Sequence, residues 1–368
     1  MVMIIERLSI LNFKNIEEAN LDFSPKMNYL FGNNGMGKTN LLDALYYLSF
    51  CKSHSNLPDH QLMRYNADFC MLQGFYRENG TEEEIYCGIR RNQRKVFKRN
   101  KKEYERLSDH IGLVPLVMIS PEDTELIQGG SEGRRKFVDL LISQYDKEYL
   151  NELIRYNRVL GQRNSLLKES LKFSEDSLFD ILDEQLSYSG EIIHKKRKDF
   201  LKSYLPVFQK YHQSICNDSD SVGLNYDSQL NNFPLDQLLT DRREKDKIVG
   251  YTSAGIHKDD FIFLLDSHLI RKVGSQGQSK TYLIALKLAQ FSFLVQQGLS
   301  TPLLLLDDIF DKLDATRVEQ IVQLVSRSEF GQIFITDTNR KYLDNILKKT
   351  DQDYKLFQVE QGKIEELK

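Results

Sequence analysis

Near the start of the chain, Gly32-Asn33-Asn34-Gly35-Met36-Gly37-Lys38-Thr39 has the residue types and spacing to hold a triphosphate. The pattern G-x-x-x-x-G-K-[ST] places glycines where successive backbone N–H groups must turn inward onto phosphate oxygens. Lys38 would present a point charge to the β- and γ-phosphates, and the Thr39 hydroxyl would ligate magnesium. Asn40 falls in the first turn of the helix that must follow, whose N-terminal end favours anions. Far along the chain, Leu303-Leu304-Leu305-Leu306 ends in Asp307 and Asp308. Asp307, at the carboxyl end of a buried strand, would hold the magnesium through its water, while Asp308 would orient or deprotonate an attacking water. Lys38 and Asp308 are therefore the candidate catalytic pair. A third element, Gly274-Ser275-Gln276-Gly277-Gln278, lies between them in sequence. Ser275, Gly277 and Gln278 could form a second anion-binding helix start, or simply the N-cap and turn that many helices carry.

Such residues need strands and helices to place them. Ile4 to Phe13 alternates apolar and polar residues, as a strand does, and Asn28 to Phe31 is a second, short strand. Leu41, Leu42, Leu45 and Leu48 repeat at helical spacing after Thr39, completing strand, glycine loop and helix. Residues 84–102 have the pattern of a hairpin turning at Asn92-Gln93, and Leu113 to Ile119 that of another strand. From about Arg134 to Tyr211, glycine and proline are scarce and the spacing is helical. Residues 216–247 are polar and in part irregular. Strand character returns at Phe261 to Leu265, a buried helix is expected over Thr281 to Val295, and Leu303 to Leu306 and Ile333 to Ile335 suit a sheet covered on both faces. The expected organisation is α/β and split: residues 1–133 form one half of an ATPase lobe with the basic hairpin, 134–247 a helical lobe, and 248–368 the second half.

A chain of 368 residues exceeds what one core usually organises. Lysine and arginine total 50 against 53 acids, a net charge of -3, so any nucleic-acid surface must be a local patch. The hairpin offers one in Arg90, Arg91, Arg94, Lys95, Lys98, Arg99, Lys101 and Lys102, and the helical stretch a second in Lys195, Lys196 and Arg197. The plainer reading of either run is a solvated charged face. No base-reading motif accompanies them, so recognition of DNA backbone and shape is expected. His257, Arg134 and Arg135 could approach a nucleotide or pair structurally; Tyr145, Tyr149 and Tyr156 suit helix packing. The four cysteines include no CxxC pair, which suggests neither zinc nor disulfides and fits a reducing compartment. No run of about 18 apolar residues and no secretory leader is read, so a cytoplasmic location with no membrane partner is expected.

The order of these motifs resembles that of ABC-type ATPases. Ser275-Gln276-Gly277-Gln278 looks like the ABC signature, Leu313-Asp314 resembles the D-loop, and the helical insert resembles that of an SMC-like head with mixed sheets. Within that class the chain resembles the RecF family of bacterial recombination mediators. Pro121-Glu122-Asp123, Leu126-Ile127, Gly129 and Arg134-Arg135-Lys136-Phe137-Val138-Asp139 carry the likeness, as do Leu305 to Asp308 with Leu313 to Arg317. Leu11 to Asn15, Gln162 to Asn164 and Gly255 to Asp260 are also similar. The chain departs at Asp311-Lys312, where Ser-Glu is usual, and at Gly255-Ile256-His257-Lys258, where Gly-Pro-His-Arg is usual. Many ABC ATPases carry glutamate at Asp308 and histidine at Asp337. The resemblance implies a slow ATPase and a face-to-face homodimer driven by ATP and magnesium. It also places Lys14 at the nucleotide and Ser275 opposite the partner's phosphates. It implies binding to single-strand/double-strand DNA junctions at gaps, and RecA loading together with RecR and RecO. An SMC-like DNA clamp without the mediator role shares all of this ATP chemistry. A transporter subunit leaves the helical insert unexplained, and a small-molecule kinase leaves Ser275 unexplained.

Overall fold

A computed structural model describes residues 2–169, 176–216, 220–310, 315–327, 329–338 and 353–367. The chain divides into two compact units: Met1–Asp123 with Ser214–Cys216 and Leu283–Lys368, and Thr124–Gln213 with Asn217–Tyr282. The divisions at 123/124 and 282/283 differ from the expected 133/134 and 247/248. The reason is local pairing, because residues 260–265 form a strand against residues 222–227, and Arg134 is tied to Asp260 at 2.8 Å.

The first unit holds two sheets. In one, β1 (Met3–Phe13) lies between β2 (Ile16–Asp22) and β4 (Phe69–Glu78). The sheet continues through β5 (Thr81–Arg90), β6 (Val96–Arg99) and β7 (Lys102–Glu103), with antiparallel pairs throughout. The expected hairpin is present, with Cys87 opposite Phe97. In the other sheet, β3 (Met27–Phe31) pairs in parallel with β13 (Ile333–Asp337) and β14 (Tyr354–Glu360). The parallel run continues from β13 to β12 (Leu303–Asp307) and β8 (Leu116–Ile119), and β15 (Lys363–Leu367) closes the opposite edge antiparallel to β14. Every residue of β12 and β13 is buried, as the unbroken apolar runs require of strands covered on both faces. α1 (Lys38–Phe50) follows β3 directly, and Leu41, Leu42, Leu45 and Leu48 are fully buried. Each leucine contributes about 2 kcal/mol of burial, which anchors the helix whose first turn bears Lys38 and Thr39. α9 (Ala315–Val325) lies between β12 and β13 in sequence.

The second unit is mainly helical. Its helices are α2 (Glu125–Gln128), α3 (Ser131–Tyr145), α4 (Lys147–Glu169), α5 (Asp176–Ile215), α6 (Leu235–Val249), α7 (Ile270–Val273) and the start of α8 (Gln276–Gln296). A sheet of β9 (Val222–Asp227), β10 (Asp260–Leu265) and β11 (His268–Leu269) completes it. On α5 the buried residues Leu186, Ile193, Phe200, Tyr204, Phe208, Tyr211 and Ile215 recur every three, four or seven positions, a single apolar stripe. The polar stretch expected to be irregular in part contains β9 and most of α6. The D-loop-like Leu313-Asp314 and the departing pair Asp311-Lys312 lie outside the described residues.

Candidate nucleotide site

The glycine loop leaves β3 at Phe31 and enters α1 at Lys38. Gly37 has φ +115°, a backbone conformation that suits glycine, and a Cβ there would come within 2.7 Å of the Asn15 side chain. A Cβ on Gly32 would lie 2.2 Å from the carbonyl oxygen of Val359. Both glycines are thus set by close neighbours as well as by the turn. Asn33, Asn34 and Gly35 form an exposed lip, whereas Gly37 and Lys38 form a buried base. No side chain caps the first turn of α1, so the N–H groups around Lys38, Thr39 and Asn40 remain directed out of the helix end, the arrangement that receives an anion.

Around this base the catalytic candidates converge. Lys38 Nζ donates to the carbonyls of Gly32 (2.8 Å) and Asn33 (3.3 Å) and stands 3.9 Å from Asp308 Oδ2. The Thr39 hydroxyl donates to Asp307 at 2.9 Å. The parallel register puts Thr336 of β13 beside Asp307 of β12; its hydroxyl donates to Asp307 Oδ1 at 2.7 Å and accepts the N–H of Asp308 at 3.0 Å. Burial pushes the Asp307 carboxyl above its ordinary value; hydrogen bonds from Thr336 and Thr39 oppose this, and the charge of Asp308 adds to it. A buried carboxylate held at a threonine hydroxyl, with its charge disfavoured by desolvation, is a site a cation would relieve. Thr39 and Asp307 therefore fit a magnesium ion. Asp308 itself takes a left-handed backbone (φ 44°), which turns it off the strand end toward Lys38.

Three features of the site were not legible in the sequence. Asn15, in the turn between β1 and β2, donates to the Met36 carbonyl (3.1 Å) and accepts from Asn40 (2.7 Å). Gly362, in the β14–β15 turn, donates its N–H to the same Met36 carbonyl at 2.8 Å. Asp43 of α1 holds Lys14 Nζ at 2.8 Å while accepting from Ser53 Oγ and the His54 N–H. Lys14 is thereby fixed to the helix that follows the loop.

The family model described as "RecF/RecN/SMC N terminal domain" matches residues 4–365. A DNA replication and repair protein RecF from Azobacteroides pseudotrichonymphae is 62% identical over 365 residues, covering 99% of this chain and 100% of that one. The chain belongs to the RecF family. A RecF of the same description from Bacteroides thetaiotaomicron is 58% identical, with 99% of each chain covered. Among solved structures, the recombination mediator protein RecF-ATP of the RecFOR pathway superposes with a TM-score of 0.89 at 30% identity, covering 100% of this chain and 98% of that one. An Smc head domain from Pyrococcus furiosus shares the fold, with a TM-score of 0.58 and 17% identity. The expected α/β class, an SMC-like head with mixed sheets and a helical insert, is the fold of this RecF-family chain.

In the second unit, Ser275 and Gln278 form a reciprocal capping box at the start of α8. The Gln278 N–H donates to Ser275 Oγ at 3.2 Å, and the Ser275 N–H donates to Gln278 Oε1 at 2.9 Å. Gln278 also donates to Asp220 at 2.8 Å. Ser275 is exposed, and Gly277 lies in the first turn of the same helix.

The basic clusters divide. Arg90, Arg91, Arg94, Lys101 and Lys102 are exposed on or beside the hairpin, and Lys98 lies over Tyr86. Lys95 turns inward to Asp59 (3.1 Å) and the Cys51 carbonyl, and Arg99 is held by Glu83 at 2.8 and 2.6 Å. In the helical run Lys195 is exposed and Lys196 pairs with Asp146 and Glu148. Arg197 is a correction to the expected DNA surface. It is 1% exposed and bonded to Asp139 (2.8 Å) and Asp259 (2.9 Å), because α5 turns that side of its charge run into the unit. Arg134 and Arg135 are structural as well. Arg134 pairs with Asp260 and also donates to the Leu126 and Gly129 carbonyls, which engages its guanidinium within the unit; Arg135 donates to the Asp259 carbonyl. His257 is bonded to Tyr156 Oη (2.8 Å) and the Thr252 carbonyl (3.0 Å), and burial pushes its imidazole down to about 4. It is a neutral packing histidine.

No helix among the described residues is long and apolar enough to cross a membrane.

Proposed function

We propose that this RecF-family chain is an ATP-dependent DNA-binding protein of recombinational repair and replication, whose nucleotide state controls dimerisation and DNA binding. The observation that carries this reading is the convergence of Lys38, Thr39, Asp307 and Asp308 at the carboxyl ends of β3 and β12, parallel strands that flank β13 in one sheet. Glycine-loop N–H groups and Lys38 bind the triphosphate. Thr39 and Asp307 would hold magnesium, which when bound supplies positive charge to the phosphate oxygens. Asp308 orients the attacking water and accepts its proton as the terminal phosphate leaves. A carboxylate one methylene shorter than glutamate, with Asp337 in the position of a switch histidine, suits slow turnover.

The second half of the reading concerns assembly. Two chains meet face to face, and Ser275 of each grips the γ-phosphate held by Lys38 and Thr39 of the other. ATP then makes contacts only in the dimer, so it shifts monomer toward dimer by linkage. Hydrolysis removes the gripped phosphate and opens the pair. Exposed hairpin cations bind the DNA backbone at single-strand/double-strand junctions, where RecR and RecO join in promoting RecA loading. The neighbours that are RecF proteins, one bearing ATP in the RecFOR pathway, support the pathway. The test is Ser275→Arg. It is expected to keep ATP affinity in the monomer and to lose ATP-dependent dimerisation by analytical ultracentrifugation. Loss of monomer ATP affinity would count against a phosphate grip across the dimer.

A further inference from the structure

The helical unit contains a groove that neither the nucleotide site nor the basic surfaces use. It has a volume of about 920 Å³ and runs between α5 and α6, floored by the loop that precedes α6. Its α5 wall is made by residues from Asp180 to Ile192 at spacings of three and four, one face of the helix. That stripe is roughly 18 Å long, three turns or more. Its α6 wall, Asp236, Thr240 and Arg243, is likewise a single helical face. Two helices that each present a continuous stripe to the same furrow leave the place of a third. Tyr188 on the α5 wall and Phe233 in the floor loop are 58% and 52% exposed, large apolar surface at the positions where a seated helix would be gripped. The rim is acidic. Asp180, Glu184 and Asp236 line it, and the cation of the α6 wall, Arg243, is already paired with Asp180 (2.7 Å) and Asp183 (2.8 Å).

We infer that this groove is a docking site for a basic amphipathic helix of a protein partner. Apolar residues on one side of such a helix would fill the furrow between Tyr188 and Phe233, and lysines or arginines along its flanks would meet Glu184 and Asp236. Nucleic acid is excluded by the same carboxylates, which repel phosphate. A partner held here is therefore held without competing for the surfaces that bind DNA.

The probe is a fluorescein-labelled leucine/lysine amphipathic helix of about 18 residues, titrated with the full chain by fluorescence anisotropy. Two controls replace its lysines with glutamate or its leucines with serine. The expected result is binding of the first peptide, with at least about tenfold weaker binding of each control. The paired substitution Glu184→Lys, Tyr188→Ser is expected to weaken the first peptide by about tenfold or more, with ATP and DNA affinities unchanged. Phe233→Ser, in the floor loop, is expected to act in the same direction. Glu184, Tyr188 and Phe233 are all exposed, so thermal melting should stay at the wild-type value. The proposal is overturned if the leucine/lysine peptide fails to bind, if the serine control binds equally well, if the substitutions leave peptide affinity unchanged, or if DNA displaces the peptide. It is also overturned if the substitutions abolish self-association, which would make a second copy the occupant.

Discussion

Asn15 ties the turn between β1 and β2 to two points of the phosphate loop, Met36 and Asn40, and packs against Gly37 where a side chain would collide with it. With the Gly362 N–H on the same Met36 carbonyl, it fixes the loop at Met36. A loop that must present its N–H groups without reorganising gains from such bracing. Asn15→Ala removes two hydrogen bonds of about 1 kcal/mol each and is predicted to weaken ATP binding by about tenfold or more. A fluorescent ATP analogue titrated into the variant checks this, and wild-type affinity would show the brace to be idle. Lys38, Thr39 and the glycines are readable in the sequence because phosphate chemistry restricts which residue types can stand there. Asn15 is readable only once the β1–β2 turn is known to fall beside Met36, 21 positions away. Thr336 is hidden for the same reason, since the parallel register of β12 with β13 alone brings it to Asp307.

At the scale of elements, charge runs do not report which charges face water. The run around Arg197 looks as basic as the hairpin, yet α5 has a buried stripe, and a cation on that stripe must be paired inside. The two clusters therefore respond differently to substitution. Joint neutralisation of the exposed Arg90, Arg94 and Lys101 is predicted to weaken DNA binding and to flatten its salt dependence by about 0.9 for each phosphate no longer engaged, with no change in stability. Arg197→Gln should leave the salt slope alone and cost about 3–5 kcal/mol of stability, because Asp139 and Asp259 are left uncompensated. Salt-series binding and urea unfolding of both variants distinguish the two roles; a normal salt slope for the hairpin variant would remove the hairpin from the DNA surface. Two of the strands missed in the sequence, β15 and β2, share a cause. β15 is mostly exposed, and β2 exposes four of its seven residues, including Glu17 and Glu18. Neither has an apolar run to announce it, and each becomes a strand through pairing with β14 or β1.

For the whole molecule, the long interval between the glycine loop and the pair Asp307-Asp308 is what a split head with a helical insert requires, and it is legible because those motifs are chemically restrictive. The unit boundaries are less so. They fall within α8 and before α2, where sequence character does not change, and are set by the pairing of β9 with β10 and of Arg134 with Asp260. The central claim is that nucleotide, assembly and DNA binding form one linked equilibrium. Light scattering of the wild-type chain at saturating ATP and magnesium, with gapped duplex DNA supplied, tests it most directly. A complex containing two chains per DNA is predicted with ATP, and single chains when ADP replaces it. Single chains under both conditions would contradict the account.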